Sequence, residues 1–307
     1  MKELINSIRI FLIYRFYNLG VIFERISNKG FALDIFSSSF QNNPYKTYSK
    51  MRSINPIYHS KPTFLRWVTK MDLVQEMIRD DRFSVDDRKF PLAKLRRNEL
   101  RRDGRDIMLD QFENPSILKL DPPDHSRIRK LVSYGFTNRY IKSLETEIND
   151  TINQCLDKTH NLESFDLMNV LAKPLPAIVI AKMMGLPDSD LNQFQTWSEN
   201  LLKEVGGIGS SVKKRKLARD AYEDLIRYFE KIIIERKDNP GDDFIGKLIL
   251  AEEEGDKLNV KEMYGTCLLL LIAGHETTTR LVGNGLFALL NHPDQFEYLK
   301  DDHSKIP

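Results

Sequence analysis

The run Ala273-Gly274-His275-Glu276-Thr277-Thr278-Thr279-Arg280 places a carboxyl, an imidazole and successive hydroxyls directly after the apolar stretch Leu268 to Ala273. A carboxyl buried without a partner is costly or shifts its pKa. A glycine inside a helix costs about 1 kcal/mol relative to alanine. Two such local violations side by side mark a functional segment. The plainer alternative is a polar kink, with the Thr hydroxyls bonded back to preceding carbonyls. Zinc-protease chemistry is excluded, because it needs a second His four residues after His275 and position 279 is Thr. A second polar pair, His125 and Arg129, lies four apart and shares one helix face, which by itself reads as a surface pair.

The elements that position these groups follow from periodicity and punctuation. The segment holding Glu276 reads as one helix from near Val260 to just before Asn291-His292-Pro293. At 1.5 Å per residue it is roughly 45 Å long. Leu268 to Ala273 is apolar on every side, as in a helix buried in a core. Asp121-Pro122-Pro123 reads as a capped helix start, with the helix running to about Tyr134 and Gly135 ending it. Thr137 reads as the cap of a helix to about Lys158. Helical text resumes over 171–184 and is closed by Gly185-Leu186-Pro187. Asp188 opens a helix with Phe194 and Trp197, the glycine-rich run 206–211 reads as a loop, and 212–237 reads as a long charged helix with Leu225, Tyr228, Phe229 and Ile232 on one side. Towards the N-terminus, Asn43-Pro44 opens a helix with Tyr45, Tyr48 and Met51, residues 63–69 read as a strand, 71–80 as a helix, and 84–110 as loop with a short helix.

With these elements in order, the motifs resemble the cytochrome P450 family of soluble bacterial type. Ala-Gly-x-Glu-Thr-Thr in a long apolar helix resembles its oxygen-activating segment, and Leu120-Asp121-Pro122-Pro123-Asp124-His125-Ser126-Arg127-Ile128-Arg129 resembles its haem-propionate helix. Trp67-Val68-Thr69, Asp81-Arg82-Phe83-Ser84, Met184-Gly185-Leu186-Pro187 and Asn291-His292-Pro293 agree in order and spacing. The resemblance implies a mainly α, partial cytochrome P450-like fold with a small β component near the N-terminus and a long central buried helix. It implies haem, dioxygen, a small organic substrate, and a ferredoxin or flavodoxin with its reductase as electron donors. Gly274 and Ala273 are then expected to open a groove above the iron, often with a bulge in the helix. Thr277 is expected to hydrogen-bond the iron-bound peroxo group and Glu276 to help relay protons to it. His125 and Arg129 are expected on a haem propionate, and Leu269 and Ile272 near the substrate, with ordinary core packing as the alternative.

The family's proximal iron ligand is a cysteine in a Phe-x-x-Gly loop, preceded by a Glu-x-x-Arg helix. No Phe-x-x-Gly occurs, and no Glu-x-x-Arg follows the long helix, before the sequence stops at Lys305-Ile306-Pro307, about where the Glu-x-x-Arg helix is expected to begin. The expectation is a C-terminally truncated monooxygenase, inactive as it stands, with residues 1–40 as an amphipathic or extended segment and 41–307 as the partial domain. A non-catalytic haem-binding or interaction fragment, or a chain completed by a second polypeptide, are the alternatives.

The 46 Lys and Arg against 44 Asp and Glu give a net charge of +2 without a nucleic-acid surface. The runs Lys213 to Lys216, Arg96-Arg97 and Arg101-Arg102 read as solvated faces. Two cysteines, Cys155 and Cys267, fit a reducing cytoplasm and neither a disulfide framework nor a zinc site. Arg9, Arg15, Glu24 and Arg25 interrupt the N-terminal apolar run, so it reads as neither a transmembrane span nor a signal peptide. It is expected as a helix packed on the body, with a weak membrane-surface role as the alternative.

Overall fold

The computed structural model describes residues 2–91, 93–102, 106–202, 212–253 and 255–305, so the expected loop at 206–211 lies outside the described residues. It divides into two units, residues 1–83 and 84–307. The boundary expected after residue 40 falls within a short helix of the first unit.

In the first unit, α1 (Lys2–Ser27), α2 (Ser38–Asn42) and α3 (Pro44–Ile54) precede a hairpin of β1 (Ile57–Ser60) and β2 (Leu65–Val68), and α4 (Met71–Met77) follows. The single strand expected at 63–69 is therefore half of an antiparallel pair, in register from Ile57 opposite Val68 to Ser60 opposite Leu65. Asn43 caps α3 by accepting from the Tyr45 N–H at 3.2 Å, and Met51 on that helix is fully buried with Leu33 and Tyr58. A buried carboxylate holds α1 to this core. Glu24 accepts from the Tyr58 hydroxyl, the Leu33 N–H at 3.3 Å and the Lys61 N–H at 3.0 Å. That set satisfies an otherwise costly buried charge.

The second unit is helical apart from a two-residue hairpin, β3 (Glu252–Glu253) with β4 (Asp256–Lys257). Residues 84–110 contain more helix than the sequence suggests: a 3₁₀ turn at Asp87–Lys89, then α5 (Ala93–Arg102) and α6 (Asp106–Glu113). Helix-forming Ala, Leu, Arg, Lys and Glu dominate α5, and Leu100 and Ile107 are buried. Arg97 and Arg101, exposed as expected, both pair with Glu113 across these two helices.

Next come α7 (Asp124–Ser133) and α8 (Asn138–Asp157), capped by Thr137 accepting from the Tyr140 N–H. A π-helical turn at Met168–Ala172 leads into α9 (Pro174–Met183), and α10 (Leu191–Leu202), α11 (Val212–Glu235) and α12 (Phe244–Leu250) follow. The last long element is α13 (Val260–Leu290), trailed by α14 (Pro293–Asp301). Asn259 and Glu262 form a reciprocal capping box at the start of α13. Phe194, Leu225, Phe229, Phe244 and Leu271 form the centre of a core in which α13 packs against α9, α10 and α11.

Asp121 does not cap α7, contrary to the sequence expectation. The helix starts at Asp124 with Pro123 at its cap position and no side-chain cap. Asp121 instead accepts from the Ser84 hydroxyl at 2.5 Å, the Val85 N–H at 3.0 Å and Lys89 Nζ at 2.9 Å. These donors hold its carboxyl down to about 2, led by the Ser84 hydrogen bond. The carboxylate thus pins the 84–89 loop in front of α7.

Candidate functional site

The first half of α13 is buried: Met263, Tyr264, Cys267, Leu268 and Leu271 all face the core. Leu269 and Ile272, on the adjoining side, line a cavity of about 1110 Å³ that also takes Leu120, Ile128, Leu201 and Tyr222. One polar feature of its wall went unnoticed in the sequence. The Tyr222 hydroxyl donates to Asp110 at 2.5 Å, and Asn114 Nδ2 donates to the same carboxylate at 2.8 Å. Tyr222 lies 112 residues from Asp110, so no local pattern announces the pair.

One residue beyond Ile272 the character of the helix changes. Ala273, Thr277, Arg280, Leu281 and Asn284 are exposed and recur every three or four residues, which sets them along one face. The Thr277 hydroxyl donates to the Ala273 carbonyl at 2.5 Å, the back-bonding weighed from the sequence. Glu276 is only partly buried and pairs with Arg280 one turn later, so the unpartnered buried carboxyl expected from the sequence does not occur. The expected bulge is likewise missing, since α13 is α-helical from 260 to 290.

Gly274 faces elsewhere. A Cβ there would lie 2.8 Å from Ile180 Cδ1, so the missing side chain lets α9 approach α13. His275 is buried, with Nδ1 2.5 Å from the Ser198 hydroxyl of α10. Burial pushes the imidazole below its usual value, against the opposing pull of Glu199, the Lys173 carbonyl and Glu276. The ring is therefore neutral at pH 7, and its Nδ1 shares a hydrogen bond with the Ser198 hydroxyl.

On α7, His125 is partly buried and Arg129 exposed, and neither side chain has a hydrogen-bond or ion-pair partner among the described residues. Arg127, between them in sequence, points to another side of the helix and pairs with Glu262 and with Asp256 at 3.4 Å. It ties α7 to the start of α13 and the second hairpin, and the side chains of His125 and Arg129 stay unengaged among the described residues. The two cysteines are buried and unbridged. Burial pushes the Cys267 thiol up to about 12, so it stays protonated and is no ready metal ligand. Among the described residues no cluster of His, Cys, Asp and Glu is arranged to hold a metal ion, and no helix is long and apolar enough to cross a membrane.

Residues 91–305 match the sequence profile described as Cytochrome P450. The chain is 35% identical over 246 residues to cytochrome P450 CYP107DY1 of Priestia megaterium, covering 78% of this chain and 58% of that protein. It is 34% identical over 273 residues to the polyketide biosynthesis cytochrome P450 PksS of Bacillus subtilis, covering 87% and 65%. The solved structure of PksS superposes with a TM-score of 0.73 at 32% identity, over 89% of this chain and 66% of that one. CYP109E1 from Bacillus megaterium in complex with testosterone superposes with a TM-score of 0.72 at 31% identity, over 86% and 64%. The chain thus spans about three-fifths to two-thirds of the length of these relatives. A match over most of its residues, with the same helical architecture, places this chain in the cytochrome P450 family.

Proposed function

We propose that this chain supplies the distal haem wall and the substrate cavity of a cytochrome P450 monooxygenase. The observation that carries the reading is the change along α13, where the cavity-lining Leu269 and Ile272 give way within one residue to the exposed face begun by Ala273 and Thr277. A long exposed face beside a cavity fits one side of a flat macrocycle. Two side chains that can donate hydrogen bonds and have no acceptor among the described residues, His125 and Arg129, fit its propionates. Haem, when bound, supplies the activation of dioxygen for insertion of one oxygen atom into an organic substrate.

The chain's own residues have separate parts in this scheme. His125 and Arg129 would hold the carboxylates of the haem. Leu269 and Ile272 would shape the adjoining cavity and exclude water. The Thr277 hydroxyl, held by its bond to the Ala273 carbonyl, would offer its oxygen to a group bound along the exposed face. Glu276 exchanges protons with solvent from its partly exposed position, once Arg280 swings away. Electrons come from a ferredoxin or flavodoxin with its reductase, and the protein works in the cytoplasm. The substrate is a largely apolar organic molecule, in keeping with the cavity and with the testosterone and the hexadec-9Z-enoic acid on acyl carrier protein in the structures of two relatives. The iron's thiolate is neither Cys155 nor Cys267, since both are buried in packing, and is supplied from outside these 307 residues.

The test is the spectrum of the reduced, carbon monoxide-bound protein, purified as the cell makes it with a supply of haem. The expected result is a strongly red-shifted Soret band that persists in Cys267→Ser. The His125→Ala, Arg129→Ala double variant is expected to weaken haem retention by about tenfold or more, as for loss of charge-assisted bonds. No haem, or a band lost with Cys267, overturns the reading. Haem without the shifted band supports a second reading, haem binding without oxygenase chemistry, which the burial of both cysteines favours.

A further inference from the structure

Charge is unevenly divided between the two units. Residues 1–83 carry 13 Lys and Arg against 7 Asp and Glu, a net +6, whereas residues 84–307 carry 33 against 37, a net −4. Within the basic unit, α1 exposes Phe16, Leu19, Ile22, Phe23 and Ile26, with Phe16 at 73% and Ile26 at 74%. At 100° per residue these five positions fall on an arc of about 120°. The same spacing extends back in the sequence through Leu12, Ile8 and Ile5. The opposite face of α1 is occupied: Val21 is buried, Tyr17 donates to Asp34, and Glu24 is held by Tyr58, Leu33 and Lys61. The helix therefore cannot roll its apolar face inward without exposing Val21 and breaking the Glu24 set.

The turn of the β1–β2 hairpin adds to that surface. It is seated against α1, because Pro62 closes on Gly20, where an added Cβ would meet Pro62 Cα at 3.0 Å, and the Lys61 N–H reaches Glu24. Next along the turn is Phe64, 86% exposed and at φ 56°, followed by exposed Leu65. A bulky residue at positive φ is strained, and here the backbone holds its ring out in solvent. The cations Arg25 of α1, Lys29 in the turn after it, and Lys61 and Arg66 of the hairpin are exposed.

We infer that this face of residues 1–83 is a peripheral membrane-binding surface for anionic lipid. The aromatic and aliphatic side chains of α1 and the hairpin tip enter the boundary between headgroups and acyl chains, and the surrounding cations meet the phosphates. The helix lies in the interface rather than crossing it, as no helix of the described residues is apolar enough to span. The charge selects this occupant over a second copy of the chain, which would bring one unit of net charge +6 against another.

Vesicle co-sedimentation of the full chain tests the inference. Vesicles containing phosphatidylglycerol are expected to bind the protein, with binding weakened by salt and strongly reduced on phosphatidylcholine alone. The Phe23→Glu, Phe64→Glu double variant is expected to lower partitioning by about tenfold or more, with its thermal unfolding unchanged because both side chains are exposed. Absence of wild-type binding to the anionic vesicles overturns the inference. So does binding that is indifferent to headgroup charge and salt, or binding that survives the double variant. Sedimentation velocity supplies a further refutation: self-association abolished by the same variant, with no vesicle binding, makes the face an interface between copies.

Discussion

At the scale of single residues, His275 is the buried titratable group with the clearest consequence. Its folded-state pKa is depressed below 6.5, chiefly by burial. Stability is therefore full above about pH 6.5 and falls as the pH drops below it, because the unfolded chain takes up a proton that the buried ring resists. Chemical denaturation at about pH 7.5 and about pH 5.5 should show this loss, and His275→Asn should flatten it. Ser198→Ala should cost about 1–3 kcal/mol at neutral pH by leaving Nδ1 without its partner. The sequence makes His275 visible only as a failed zinc motif, because its partner Ser198 lies 77 residues away. Glu276 was misjudged in a similar way: an apolar run before it suggested burial, whereas its place at the edge of the exposed face gives it water and Arg280. Long-range partners and the angular position of each residue around a helix are what local reading lacks.

At the scale of elements, the turn after α9 explains why Met184-Gly185-Leu186-Pro187 has its glycine. Gly185 sits at φ 69°, and a Cβ would also run into the Asp243 carboxylate. That carboxylate caps α12 through the Gly246 N–H at 3.0 Å and receives Arg236 at 2.8 Å, while Arg236 also donates to the Gly185 carbonyl at 2.6 Å. One cluster thus fastens the ends of α9, α11 and α12. Gly185→Ala should destabilise the protein by about 1–3 kcal/mol, combining strain at positive φ with displacement of Asp243; a thermal melt in which the variant matches the wild type would refute this. The helix ends around Thr137, Gly185 and Asn259 were legible because caps and stops are local chemistry. The helices in 84–113, the first strand of the hairpin and the π-turn at Met168–Ala172 were not. The first are short and set among many Arg and Asp, the second is four residues long, and the third is set by packing: Gly283 of α13 has no side chain where the Met168 sulfur lies, and a Cβ there would be 2.6 Å from it.

At the scale of the whole molecule, both thiols are withdrawn into packing. Neither Cys155 nor Cys267 should react with a thiol reagent under native conditions, and both should react once the chain is unfolded. A reactive native thiol would show that the described core opens and would return Cys267 to consideration as an iron ligand. The order of helices and the family could be read from sequence because motif order survives where individual contacts cannot be seen. The one-sided charge of residues 1–83 was hidden in the total of +2, which averages opposite contributions.

The length of α13 has one more implication, for divergence. Cavity wall and exposed face lie end to end on a single rod, with the join at Ile272 and Ala273. Substitutions at Leu268, Leu269 or Ile272 change what the cavity admits while leaving the register of Thr277 and Glu276 untouched. Insertion of a single residue before the join rotates everything beyond it by about 100° and removes Thr277 from its face. Lineages descended from such a helix are therefore free to vary its first half by replacement but not by length.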